Sequence, residues 1–194
     1  MTGATMAAIL LAACGGGSGR DQGPDGIHHD SASPSRSAPT APASRADDVF
    51  FAQMMIPHHD QAVGMAELAL DSSTASAEVR SLAEQSQAAM DAELRTLDGW
   101  LREWGAPAAS SMGRGGEHDG MTSDHDMENM GAAKGAAFDT MWLTTMVEHD
   151  QTAVMMAQEI LLITNDPEVT MLAKAMVDRQ TAQIATMQHL LRRG

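Results

Sequence analysis

The chain has 194 residues, the length of one ordinary domain with extensions. Acidic residues outnumber basic ones by 26 to 12, which gives a formal net charge of -14. This balance argues against nucleic acid or an anionic membrane surface as partner, because both require a basic face. Aromatic residues make up only 3% of the chain and Met occurs 17 times, so a core must be built from Ala, Leu and Met, as in helical proteins.

The N-terminus contains a short apolar run that ends at the one cysteine of the chain, Cys14. Leu11-Ala12-Ala13-Cys14 and the glycines after it resemble a bacterial lipoprotein signal, in which the cysteine is lipidated and becomes the new N-terminus. The run is too short to span a bilayer. We therefore predict a signal over residues 1–14 and a protein that is lipid-anchored outside the cytoplasmic membrane. The alternatives are a cleaved signal with release of the protein and a chance cysteine.

Residues 15–45 are rich in Gly, Ser, Pro and Ala and are predicted to form a flexible tether. In the following domain, residues 46–194, apolar residues recur at spacings of three and four, which predicts four long helices. Their expected ranges are about 47–70, 77–104, 133–163 and 166–191. Asp166-Pro167-Glu168 is a typical start for the last helix: a capping residue, a proline in the first turn and an acid.

The domain contains an internal repeat. A shift of 91 positions aligns the first helix with the third, and a shift of 90 aligns the second with the fourth. This predicts an all-α four-helix bundle of two repeated helical hairpins. The central connection has about 26 residues, enough to extend past a whole helix. We therefore favour a ferritin-like crossover over a simple up-down bundle.

The repeat conserves a set of methionines and histidines between the two halves. Met55, His58 and Met65 lie on one face of the first helix because helical neighbours are spaced three and four residues apart. Their counterparts in the third helix are Met146, His149 and Met156. Thioether sulfur and neutral imidazole are the preferred ligands of Cu(I), so the two faces together predict a buried copper site. The alternative is an ordinary methionine core with hydrogen-bonded histidines.

Two further groups are weaker candidates. His59 lies about 100° around the helix from His58, so we expect either a ligand at the rim of the site or a solvated side chain. The predicted loop 105–131 is rich in Met, His and Asp. Its residues His118, Met121, His125 and Met127 are candidates for a secondary site that takes Cu(I) through sulfur or Cu(II) through imidazole and carboxylate. The alternative is a solvated acidic loop.

The pattern Phe51-x-x-Met54-Met55-Ile56-Pro57-His58-His59-x-x-Ala62-x-x-Met65-Ala66 resembles the signature of a bacterial family, domain of unknown function 305. The segment from Trp142 to Ala157 resembles the second copy of that signature, with Glu148-His149-Asp150 where the family commonly has Pro-His-His. The resemblance implies an exported, ferritin-like helical bundle, in some members linked to copper binding or copper tolerance.

These observations predict a binding protein that sequesters or passes on copper outside the cytoplasmic membrane, with no reaction. One alternative is a ferritin-like di-iron oxidase, but such sites take Glu-x-x-His from two helices and this chain has Met-x-x-His in that place twice. Another alternative is a metal-free helical module that binds a partner protein.

Overall fold

A computed structural model describes residues 45–109 and 121–193. The predicted signal with Cys14, nearly all of the predicted tether, and His118 lie outside these residues. The described residues form five helices and no strands, which confirms the all-α prediction. The helices are α1 (Arg45–Asp71), α2 (Ala77–Glu103), α3 (Asp124–Ala132), α4 (Gly135–Ile163) and α5 (Pro167–Leu191). No helix in this part of the chain is long and apolar enough to cross a membrane.

Helices α1 and α2 form one hairpin, and α4 and α5 form the other. The second helix of each hairpin begins at an equivalent capping residue. Ser76 accepts a hydrogen bond from the Val79 amide, and Asp166 accepts from the Glu168 and Val169 amides. Ser76 and Asp166 are 90 positions apart, so the internal repeat includes the helix caps.

The two hairpins pack with α1 antiparallel to α4. Trp142 Nε1 donates to the Met65 carbonyl oxygen (2.8 Å), and Thr164 Oγ1 donates to Asp48 Oδ1 (2.7 Å). Later residues of α4 therefore lie beside earlier residues of α1. The C-terminal end of α2 and the N-terminal end of α4 are consequently at opposite ends of the bundle. The connection between them must travel the length of the bundle, which is the expected ferritin-like crossover.

The described parts of this connection lie along α1. Gln53 Nε2 donates to the Pro107 carbonyl oxygen, and Gln61 makes two hydrogen bonds with the backbone of Thr122. The prediction of a loop over 105–131 is wrong for the segment that forms α3. The Ser123 side chain caps α3 by accepting from the Asp126 amide. Sequence periodicity missed this helix because nine residues offer few apolar positions.

Two apolar clusters form the core. We call them the Trp142 cluster and the Trp100 cluster after their largest members. The Trp142 cluster includes Met65, Met90, Met130 and Met146, and the Trp100 cluster includes Phe51, Met55, Leu97 and Met176. The middle segments of the long helices lie between the two clusters and carry buried polar side chains. Those residues are His58, His59, Glu93, His149, Asp150 and Gln180.

Candidate metal centre

His58 and His149 lie at the centre of the α1–α4 pair, where the two repeats meet. Their rings are stacked with centroids 3.7 Å apart and planes inclined by 25°. His149 Nε2 lies 3.0 Å from the His58 carbonyl oxygen. A carbonyl oxygen only accepts, so Nε2 of His149 must carry the proton, and Nδ1 of the neutral ring then has a free lone pair.

Three ring nitrogens of this pair are buried and lack a hydrogen-bond partner among the described residues: Nδ1 and Nε2 of His58, and Nδ1 of His149. An unpaired buried polar group costs about 1–3 kcal/mol. The reading of these histidines as hydrogen-bonded core residues therefore holds for one nitrogen only, Nε2 of His149. Each neutral ring has one unprotonated nitrogen, so the pair can supply two nitrogen ligands: Nδ1 of His149 and one of the two nitrogens of His58.

Burial keeps both rings neutral. Burial and, to a smaller extent, the nearby imidazoles of His149 and His59 together lower the pKa of His58 to about 2. Burial also lowers the pKa of His149 to about 4, although the hydrogen bond to the His58 carbonyl opposes the shift. Both side chains are therefore uncharged near neutral pH, which is the form that binds a metal ion.

The candidate thioethers lie on both sides of the histidine pair. Met55, Met65 and Met146 are fully buried, and Met156 is partly buried. Met65 and Met146 pack in the Trp142 cluster, whereas Met55 and Met156 pack in or against the Trp100 cluster. We refer to them as the 65/146 pair and the 55/156 pair.

This placement corrects the expectation of one pocket in which all six side chains surround an ion. Met65 lies seven residues beyond His58, and Met156 lies seven residues beyond His149. Because α1 and α4 are antiparallel, these two thioethers are about 21 Å apart along the helix axis. Metal–sulfur bonds are about 2.3 Å long, so no single ion contacts both. Stacked rings also direct their lone pairs in nearly parallel planes, so they do not converge on one ion.

His59 is fully buried, which excludes the solvated alternative for this residue. Its Nε2 lies 2.7 Å from Glu93 Oε2, and Glu93 is also bonded to the guanidinium of Arg179. Burial by itself would raise the pKa of Glu93, but the hydrogen bonds from His59 and Arg179 outweigh it and lower the pKa. His59 Nδ1 has no hydrogen-bond partner in the described structure, so its role as a ligand stays a prediction.

Asp150 is the repeat counterpart of His59, and it is fully buried. Neither carboxylate oxygen has a hydrogen-bond partner among the described residues. Burial raises the pKa of Asp150 to about 7, with Arg179 opposing the shift and Glu93 adding to it. The sequence analysis named none of Asp150, Glu93 and Arg179 as functional. The repeat could have identified Asp150, because it aligns with a histidine of the motif; Glu93 and Arg179 align with Gln183 and Ala89 and carry no such signal.

The secondary candidates in the connection have different surroundings. Met121 lines a cavity together with His149, His125 is exposed, and Met127 packs against the Trp142 cluster. Within residues 45–109 and 121–193, no group of three or more His, Cys, Asp or Glu side chains is arranged to hold a metal ion. An ion at the histidine pair would therefore need the thioethers to complete its ligand set.

Comparison with known proteins agrees with this architecture. The model of the family "Domain of unknown function (DUF305)" matches residues 48–191. The chain belongs to the DUF305 family. This DUF305 chain is similar to the solved structure of a DUF305 fragment from Deinococcus radiodurans, with 30% identity and a TM-score of 0.69 over 79% of this chain and 99% of that one. No curated protein matches the chain.

Two further solved structures are similar. A putative secreted DUF305 protein from Streptomyces coelicolor is 32% identical, with a TM-score of 0.69 over 76% of this chain and 93% of that one. CopM in its Cu(II)-bound form is 28% identical, with a TM-score of 0.67 over 75% of this chain and 96% of that one. CopM has also been solved in Cu(I)-bound and Ag-bound forms.

Proposed function

We propose that this DUF305 protein binds copper outside the cytoplasmic membrane and either sequesters it or passes it on, without catalysing a reaction. The observation that carries the proposal is the stacked pair His58 and His149, with three buried, unpaired ring nitrogens between two groups of buried thioethers. The Cu(I)-, Cu(II)- and Ag-bound forms of the related protein CopM support the choice of metal.

The donor set fits Cu(I). Thioether sulfur and neutral imidazole are soft or intermediate ligands, and they suit Cu(I) better than Mg²⁺ or Ca²⁺, which prefer oxygen. Each thioether pair together with one imidazole supplies two sulfur donors and one nitrogen donor. The separation of the two pairs favours one ion at each pair rather than a single shared ion.

We further propose that the domain is held at the extracytoplasmic face of the membrane by a lipid on Cys14. The support is the resemblance of Leu11-Ala12-Ala13-Cys14 to a lipoprotein signal, together with the description of the Streptomyces coelicolor relative as a putative secreted protein. The formal net charge of -14 opposes direct attraction to anionic lipid, so attachment would depend on the anchor.

The test is a double substitution, His58→Gln with His149→Gln, studied by anaerobic Cu(I) titration against a chromophoric chelator. Wild type should gain about 2.7 kcal/mol in the free energy of unfolding for each bound ion when free Cu(I) is 100 times its dissociation constant. The buried double variant should lose most of this gain. The control is His189→Gln, because this histidine is exposed and belongs to no candidate site.

The control should bind and gain stability like wild type. Circular dichroism of each metal-free variant checks that the helices are retained. A wild-type melting temperature that does not change with Cu(I) would contradict the proposal and favour the metal-free helical module. An equal loss in the double variant and in the control would show that the buried histidines have no special role.

A further inference from the structure

A cavity of about 450 Å³ lies between the start of α3 and the middle of α4. Its lining includes two methionines, Met121 and Met141, two acids, Asp126 and Glu148, and the imidazole of His149. Met141 and the two acids are exposed, whereas His149 is only 1% exposed. The cavity therefore leads from the surface to one of the two stacked histidines.

The wall of this cavity also touches a second candidate ligand. The Thr122 hydroxyl lies 4.0 Å from the sulfur of Met65. Gln61 holds Thr122 in place with two hydrogen bonds, one to its carbonyl oxygen (2.7 Å) and one from its amide (2.8 Å). The neighbouring residue Met121 is thereby positioned on the cavity wall, next to residues that contact the 65/146 pair.

The internal repeat indicates that the thioether of Met141 is not a general feature of this helix position. The counterpart of Met141 in the first repeat is Phe50, which is 58% exposed and has no sulfur. The connection that supplies Met121 occurs once in the chain and lies outside the repeat. Two soft donors thus meet at one cavity, on the side of the bundle that reaches His149.

We infer that this cavity is the access site for Cu(I), in which Met121 and Met141 bind the ion first and pass it to His149 and the 65/146 pair. The inference rests on the proposed function. Two thioethers hold Cu(I) without a change of oxidation state and release it to a site with an additional imidazole. The exposed carboxylates of Asp126 and Glu148 raise the local concentration of cations at the opening.

The test compares the double variant Met121→Leu with Met141→Leu against a matched control, Met155→Leu with Met171→Leu. The control methionines are 56% and 65% exposed and do not line the cavity. Leucine keeps the volume and apolarity of each side chain, so both variants should fold. Stopped-flow absorbance follows the transfer of Cu(I) from a bicinchoninate complex to the full chain under anaerobic conditions.

Loss of the access site should slow Cu(I) uptake about tenfold, as expected when the barrier to uptake rises by about 1.4 kcal/mol. The equilibrium affinity of the tight sites should change less than about twofold. The control should match wild type in both rate and affinity. Methyl NMR of methionine during Ag(I) titration provides a second readout, in which the Met121 and Met141 signals should shift in wild type.

Equal uptake rates in the two double variants would overturn the access site and leave the proposed function intact. An affinity loss as large as the rate loss would also overturn it, because the two methionines would then be permanent ligands. If wild type takes up no Cu(I) from the chelator, the proposed function fails and the access site fails with it.

Discussion

The antiparallel packing of α1 and α4 predicts that the chain binds two copper ions, one at each thioether pair. One variant carries Met65→Leu and Met146→Leu, and the other carries Met55→Leu and Met156→Leu. Leucine is close to methionine in volume, and a swap of this kind costs less than about 1.5 kcal/mol per site, so the bundle should survive in both variants.

The expected magnitude follows from the separation of the pairs. Met65 and Met156 are about 21 Å apart along the helix axis, so the two ions have separate sulfur ligands. At free Cu(I) 100 times the dissociation constant, each independent site contributes about 2.7 kcal/mol, or about 5.4 kcal/mol for two. Each double variant should therefore bind one ion fewer and retain about half of this stabilisation.

Native mass spectrometry counts the ions, and thermal unfolding with and without Cu(I) measures the stabilisation. The control is Met90→Leu with Met176→Leu. These two methionines are buried like Met55, Met65 and Met146, one in each apolar cluster, but are not on the repeated Met/His face. The control should keep both ions. If either thioether-pair variant alone abolished all binding, the sulfurs would act as one site, and the argument from antiparallel packing would be refuted.

Two further predictions concern the metal-free protein. Met130→Ala should lower the free energy of unfolding, measured in urea, by about 2–5 kcal/mol, because this side chain of α3 is completely buried. Met171→Ala, at an exposed position, should change it by less than about 0.5 kcal/mol. Equal effects would mean that α3 does not contribute to the core. Between about pH 6 and 4.5, stability should fall with falling pH, because His58 and His149 take up protons only in the unfolded chain, whereas Asp150 holds one extra proton only in the folded chain. The net difference of one proton corresponds to a slope of about 1.4 kcal/mol per pH unit in the free energy of unfolding. Asp150→Asn removes the opposing proton, so the slope in this variant should approach twice that value. A free energy of unfolding in urea that does not change with pH would contradict the assigned protonation states.

Local patterns in the sequence were sufficient to predict most of the fold. The spacing of apolar residues predicted the four long helices, and the capping residue Asp166 predicted the start of the last one. The internal repeat predicted the two hairpins. Helix α3 was missed because Met127 and Met130 are too few to produce a period. Only the tertiary structure shows that Met130 is in the core and that Met127 packs against it.

The candidate site was predicted only in part. Placing Met55, His58 and Met65 on one helix face needed no tertiary information, and burial of that face is confirmed. The network of His59, Glu93 and Arg179 joins three helices. No local pattern relates such residues, because they are neighbours in space and lie 34 and 86 positions apart in the chain.

The sequence by itself determined which side chains share a helix face, because each residue of a helix advances by a constant rotation and rise. It did not determine the relative direction of two helices that present identical faces. Had α1 and α4 packed in parallel, equivalent residues of the two repeats would lie side by side. Each methionine and histidine of the site would then be next to its own counterpart. The crossover instead makes the helices antiparallel. Only His58 and His149, at the centre of the repeat, therefore meet their own counterparts, and the methionines are divided between the two ends of the site.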